Sequence, residues 1–470
     1  MLDQESETPA IVFARLEYRH IPSRLELLPD DVLSEIFKAC LDNSKSKNPT
    51  FDTRTAPMLL TRISCRIRFV AMHTPQLWVA VHMEFGRRVV VSRNFGGDVY
   101  PPLTKKMMLH ARQQSAELRR WLLERSGALP LSISIYQRPR NRDQYSRDVA
   151  DEVMDTLLAC YPRWRDISLD FHSSDLSRIA ALHDSDFPYL RSLRLQFNKP
   201  GDISLHSSPL LRARHLRELV LTHCDLSKAN TSVAWANITS LKFSGSLWRS
   251  NTTNWISEIL RRTTRLVHCD IEVPHCENGP PTGEICLPFV ETLSINELAS
   301  YRLLQPFILG RINAPALRRL VLRNAQCHPG HLAALLARSQ NIKELYLARA
   351  RPLRLKDELR NCPSLETLRI FALPLPKAYH VSLLEEFAGS SDRAPLCPNL
   401  VSFRCSSRMY ISADVVRKLY GRSASGMVQR GWRDLTIRSF DHDAQQEIDR
   451  FSLEIPALEG EADEDDPDTW

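Results

Sequence analysis

Glycine is scarce, with 15 residues in 470, and no glycine-rich stretch of the kind that lets a backbone cradle phosphate is present. A Gly-x-Ser-x-Gly elbow and a His-Glu-x-x-His pair are also missing, so the commonest hydrolase and zinc-protease arrangements have no foothold. No run of about 18 apolar residues occurs, and no helical membrane span is expected. The N-terminus, Met1-Leu2-Asp3-Gln4-Glu5-Ser6-Glu7, is acidic and has no apolar centre, unlike a secretory signal. The eleven cysteines follow no framework spacing. Free thiols in a reducing compartment, cytoplasm or nucleus, are therefore expected.

Charge is present but unevenly placed. The formal net charge is +7, yet Glu459 to the C-terminus holds seven carboxylates and no Lys or Arg, which leaves +14 on the remainder. A basic body attracts acidic partners. Nucleic-acid binding is nevertheless disfavoured, because no aromatic-basic motif of a nucleic-acid module accompanies the charge. Residues 457–470 repel one another and can form no core, so a disordered acidic tail is expected there.

The dominant pattern is a repeat, Leu-x-x-Leu-x-Leu. It occurs at Trp164/Ile167/Leu169, Leu190/Leu193/Leu195, Leu216/Leu219/Leu221 and Ile238/Leu241/Phe243. It continues at Leu266/Cys269/Ile271, Val290/Leu293/Ile295, Leu317/Leu320/Leu322, Ile342/Leu345/Leu347 and Leu365/Leu368/Ile370. Wider-spaced members come after these at Leu400/Phe403/Cys405 and Trp432/Leu435/Ile437. The spacing of the first nine matches leucine-rich repeats, and Asn198 and Cys224 stand at the Asn/Cys position of the longer consensus. The two anchors of each Leu-x-Leu strand must point to one side. A single repeat cannot cover them, whereas stacked parallel copies bury them continuously. Return segments read as helices at Trp255-Ile256-x-x-Ile259-Leu260, Leu303-Leu304-x-x-Phe307-Ile308, Leu332-x-x-Leu335-Leu336 and Val415-Val416-x-x-Leu419-Tyr420.

Ahead of the repeats, Val32, Leu33, Ile36, Phe37 and Cys40 form one broad helical stripe. Pro29 and the Asp30-Asp31 pair suit the start of that helix. A polar insert from Asp42 to Asp52 separates it from a second helical block, Leu59-Leu60 through Ile63, Ile67, Val70 and Ala71, which stops before Thr74-Pro75. A unit this small buries little by itself. Leu28-Pro29, Ile36-Phe37 and Thr74-Pro75-Gln76-Leu77-Trp78 resemble the F-box motif, in the variant common in fungal F-box proteins. The run Leu118-Arg119-Arg120-Trp121-Leu122-Leu123-Glu124-Arg125-Ser126-Gly127 resembles the segment C-terminal to the box in those proteins. Ile67 stands where the family usually carries Trp.

The resemblance implies a three-helix module that docks on a Skp-type adaptor, itself bound to a cullin. It assigns adaptor binding to Leu28, Pro29, Val32, Ile36, Phe37, Leu60, Leu77 and Trp78. The expected fold is α/β: an N-terminal helical F-box-like module, then a leucine-rich-repeat solenoid with a curved parallel sheet and helices on its outer face. The expected divisions are an N-terminal extension 1–23, the module 24–84, a linker 85–128 with a helix over 111–126, the repeats 129–456 and the tail 457–470. Within the linker Val89-Val90-Val91 suggests a short strand, and beyond it Leu129 to Ile135 alternates as a strand.

No catalytic residue, cofactor or metal is expected. The soft-ligand pairs His268-Cys269 and His275-Cys276, with Cys286 beyond, are spaced like zinc ligands. Cys269, however, occupies an inward anchor and His268 the opposite side. What remains is the concave sheet face, where Arg194, Gln196, Lys242, Arg319, Arg323, Tyr346, Arg369, Phe371 and Arg404 point outward and can grip an acidic or phosphorylated client. By resemblance the chain is expected to be the client-selecting subunit of a cullin-type ubiquitin ligase. The alternative is a leucine-rich-repeat scaffold whose N-terminal helices only cap the repeats.

Overall fold

The computed structural model describes residues 24–42, 48–85, 105–137, 144–171, 178–179, 182, 187–197, 209–223, 233–245, 252–274, 283–298, 308–324, 330–349, 355–371, 383–387, 396–409, 411–420, 432–439 and 441–452. The expected N-terminal extension, the Val89–Val91 strand, Asn198, Cys224, His275-Cys276, Leu303 to Phe307 and the acidic tail lie outside them.

A thirteen-stranded sheet dominates, with its strands in chain order. The first eight are β1 (Ala80–Phe85), β2 (Leu131–Gln137), β3 (Trp164–Phe171), β4 (Ser192–Phe197), β5 (Glu218–Thr222), β6 (Ser240–Ser244), β7 (His268–Pro274) and β8 (Thr292–Leu298). The last five are β9 (Arg319–Arg323), β10 (Glu344–Ala348), β11 (Thr367–Phe371), β12 (Ser402–Met409) and β13 (Asp434–Ser439). Every neighbouring pair runs parallel. Each of the eleven template copies lands on one strand from β3 to β13, with its two strand anchors buried. The sheet starts earlier than the expected boundary at 129: β1, with Val81, Met83 and Phe85 inward, already pairs with β2.

A second regularity precedes the strands. The first anchor of a repeat donates its N–H to the carbonyl three residues earlier, as Leu190 does to Phe187, Ile238 to Trp235, Leu317 to Ala314 and Leu400 to Cys397. Those earlier residues are buried too. The turn delivers the chain to the sheet at the same height each time. Arg191, Arg217, Lys343 and Arg433 then donate to the matching carbonyl of the preceding repeat, each at 2.8 Å. Register is thus fixed before the strand begins, which matters because a slip of one residue would turn every anchor to solvent.

Helices carry the return path. Thr252–Arg262 buries Trp255, Ile256, Ile259 and Leu260; His331–Arg338 buries Leu332, Leu335 and Leu336; Ala413–Tyr420 buries Val415, Val416 and Leu419. These side chains and the strand anchors form one continuous core. A parallel sheet needs such cover on its apolar side. The expected helix over 111–126 runs as an α-helix over Lys105–Arg119 and widens to a π-turn at Arg120–Arg125. Gly127, at φ +58°, ends it in the left-handed region that glycine tolerates. Among the described residues, no helix is long and apolar enough to cross a membrane.

Candidate functional site

Two surfaces bear the predicted binding residues. The first is the helical module before β1. Its α1 (Asp30–Asp42) packs on α2 (Cys65–Met72), with single turns at Leu60–Arg62 and Pro75–Trp78. Ser64 caps α2, its Oγ accepting from Ile67 N at 3.2 Å. Such a cap satisfies one of the N–H groups that the first turn leaves open. Arg66 ties the two helices together, donating to the carbonyls of Glu26 and Leu28 and to Asp30 Oδ1.

The module's interior is also the sheet's first cover. Trp78 is fully buried, donates Nε1–H to Ala71 O at 2.8 Å and meets Trp121 edge-on at 4.8 Å. Arg125 lies over the Trp78 ring at 4.6 Å, and Phe51 meets Trp121 edge-on at 5.4 Å. The polar insert is anchored near its end as well: Asn48 donates to Val81 O and Ser132 O, across β1 and β2.

This geometry corrects half of the expected adaptor set. Phe37, Leu60, Leu77 and Trp78 are buried in the core and offer no surface to a partner. Ile67 is likewise fully buried. Pro29 and Val32 are exposed, while Leu28 and Ile36 are half-buried. The sequence reading missed Leu27, Leu59, Ile63 and Phe69, which stand 67%, 41%, 52% and 58% exposed. With Val32, five of the eight large apolar side chains exposed among the described residues belong to this small module. Single exposed apolar residues are normal on a protein surface, and here they are concentrated in the module.

The second surface is the sheet face opposite the anchors. Across strands the central outward positions align as Arg194–Val220–Lys242–Asp270–Ser294–Val321–Tyr346–Arg369–Arg404. Arg319 and Arg369 close on the Tyr346 ring, their guanidinium carbons 4.7 and 5.1 Å from its centroid. Tyr346 donates its hydroxyl to Glu344 at 3.3 Å. Burial, then the charge of Glu344, pushes its phenol up, against the opposing pull of Arg369 and Arg319. Arg404 bridges to Asp434, and Lys242 to Asp270 at 2.9 Å.

The predicted client residues therefore do not form one site. Arg319, Arg323, Tyr346, Arg369, Phe371 and Arg404 come together on β9–β12. Arg194 on β4 lies five strands from β9, roughly 24 Å at ~4.8 Å per strand. Lys242 on β6 is committed to Asp270 in the neighbouring strand. On β1–β3 a polar cluster takes over: His82 meets Ser134 at 2.7 Å and Tyr136 meets Ser168 at 3.2 Å. Burial pushes the Asp170 carboxyl up to about 6.

Of the zinc-like cysteine–histidine spacing, His268, Cys269 and Cys286 lie among the described residues. Cys269 is buried with its thiol pushed up by burial, whereas His268 and Cys286 are not buried with it. Among the described residues no group of three or more His, Cys, Asp or Glu is placed to hold a metal ion. No family model matches the chain, and no curated protein matches it.

Proposed function

We propose that this chain is the client-recognition subunit of a cullin-type ubiquitin ligase: an F-box-like module grips a Skp-type adaptor, and a leucine-rich-repeat sheet face holds the client. The exposure of Leu27, Val32, Leu59, Ile63 and Phe69 on a module whose Trp78 is packed against Trp121 and Arg125 supports this reading. A partner that covers those side chains gains about 1.5–3 kcal/mol from each one fully buried. Trp78 joins the module to Trp121 and Arg125, and Asn48 joins its insert to β1 and β2, so an adaptor bound at one end would set the client's place at the other. The mechanism is positional. A tethered client meets the ubiquitin-charged enzyme at high effective concentration, and the chain needs no nucleophile of its own.

A scaffold reading in which the helices only cap the sheet draws on the burial of Trp78, Leu77, Phe37 and Leu60. Co-purification separates the two. Under the ligase reading a Skp-type adaptor co-purifies with the full chain, and Ile63→Asp with Phe69→Asp abolishes capture while the thermal melt stays unchanged. Absence of capture by the wild-type chain, or equal capture by the double variant, contradicts it.

A further inference from the structure

The outward face is electrically divided along the strand order. In the three register-aligned outward rows, β1–β8 carry six carboxylates (Glu84, Asp166, Asp170, Glu218, Asp270 and Glu272) and two cations (Arg194 and Lys242). Arg165, from the row below, bridges Asp166 at 2.8 Å and offsets one of them. On β9–β13 the described side chains of the same rows reverse the balance: Arg319, Arg323, Arg369, Arg404 and Arg438 against Glu344 and Asp434. Within these rows the first part sums to −4, or −3 with Arg165, and the second to +3, on one continuous sheet face.

Each part has a focus. In the basic part, the Arg319 and Arg369 guanidinium groups stack over the Tyr346 ring and gather two cations around it, with Glu344 3.7 Å from Arg319. In the acidic part, Asp170 Oδ1 is shielded from solvent with no hydrogen-bond partner among the described residues. A shielded acceptor without a donor is costly unless something completes it. The two foci, on β3 and β10, are seven strands apart, about 34 Å at ~4.8 Å per strand. An extended polypeptide rises about 3.3 Å per residue, so about ten residues bridge them.

We propose that the face binds an extended polypeptide segment of opposite polarity, carboxylate-rich where it crosses β9–β12 and Lys/Arg-rich about ten residues away over β1–β3. This names the client class for the surface assigned above and rests on that assignment, though not on the adaptor. Electrostatic matching of this kind fixes direction and rejects uniformly charged competitors, for which one end of the face is repulsive.

Fluorescence anisotropy on the full chain tests it with two labelled peptides of equal composition. One has three Glu at one end and three Lys at the other, joined by a ten-residue Gly/Ser spacer; the second interleaves the same charges. The bipolar peptide should bind at least tenfold tighter, and a photo-crosslinker at its Glu end should label β9–β12. Arg319→Glu with Arg369→Glu should remove the preference while the chain keeps its wild-type far-ultraviolet circular dichroism spectrum and a single unfolding transition. Equal affinities, no binding by either peptide, or labelling of β1–β3 by the Glu end overturns the proposal. A chain that captures the adaptor yet fails to sort the peptides loses this inference alone. One that sorts the peptides without capturing adaptor loses only the ligase assignment.

Discussion

Replacing Trp78 by Ala probes whether the helical module and the sheet are one cooperative body. The ring is fully buried and contacts elements on both sides: Ala71 in α2 through its Nε1–H, Trp121 edge-on, and Arg125 over its face. Truncating a buried Trp to Ala typically costs about 3–5 kcal/mol. The edge-on aromatic pair adds about 0.5–1.5 kcal/mol beyond area, so a loss of about 5 kcal/mol is expected. That is a large share of the ~5–15 kcal/mol by which most proteins are stable. Trp78→Phe keeps most of the ring but loses the Nε1–H bond to Ala71 O, which still accepts from Thr74 N–H at 3.3 Å, so about 0.5–1.5 kcal/mol should go. Urea melts monitored by far-ultraviolet circular dichroism read both variants. A single transition shifted to lower urea, more for Ala than for Phe, is expected. If the main transition stays in place and only a small helical step disappears, the module folds apart from the sheet and the reasoning fails.

Strand alternation gives a paired prediction on β10. Leu345→Ala, at a fully buried anchor, should cost about 2–5 kcal/mol, while Tyr346→Ala next to it, on the outward face, should cost about 1–2 kcal/mol through its lost cation–π contacts; chemical denaturation checks both. Glu358 is buried, its Oε2 has no hydrogen-bond partner among the described residues, and burial, then Asp357, pushes its carboxyl from 4.5 up to about 7. Because the folded state holds this proton more tightly, stability should fall as pH rises from about 4.5 to about 7, by at most about 3 kcal/mol, and Glu358→Gln should flatten that slope in denaturation at stepped pH. Thiol labelling at pH 8 should mark Cys40, Cys65 and Cys286 rapidly among the described cysteines, while Cys160 and Cys362, whose thiols burial pushes up to about 11 and about 12, react only on unfolding.

The sheet is legible in the sequence because burial imposes a period of two, and the eleven anchor triplets repeat it with little noise. β1 escapes that reading although Val81, Met83 and Phe85 alternate just as strictly. Trp78 even stands three residues before Val81, as Trp164 does before Ile167, but it also closes the Thr74-Pro75-Gln76-Leu77-Trp78 run, so the strand reads as the end of the module. The residue three before each first anchor escapes it too. It is Phe187 in one repeat, Ala213 in the next and Cys362 in another, so a shared position in space leaves no shared residue type.

The candidate sites are harder to read for a related reason. Val32, Leu33, Ile36 and Phe37 share one helical stripe in sequence, yet the structure divides it: Leu33 and Phe37 face the core, and Val32 faces outward. Which edge of a stripe is covered depends on Trp78 and α2, far along the chain. Likewise, alternation shows that Lys242 and Arg404 point outward. Only the register shows that Asp270 and Asp434 stand beside them and take up their charge.

Hydrogen exchange of the full chain, with and without a Skp-type adaptor, tests the central claim most directly. The account predicts slowed exchange in the module, within residues 24–42 and 58–73, and unchanged exchange on β9–β12, where the face stays open for a client. No slowing within the module, or slowing on the sheet face instead, would contradict it.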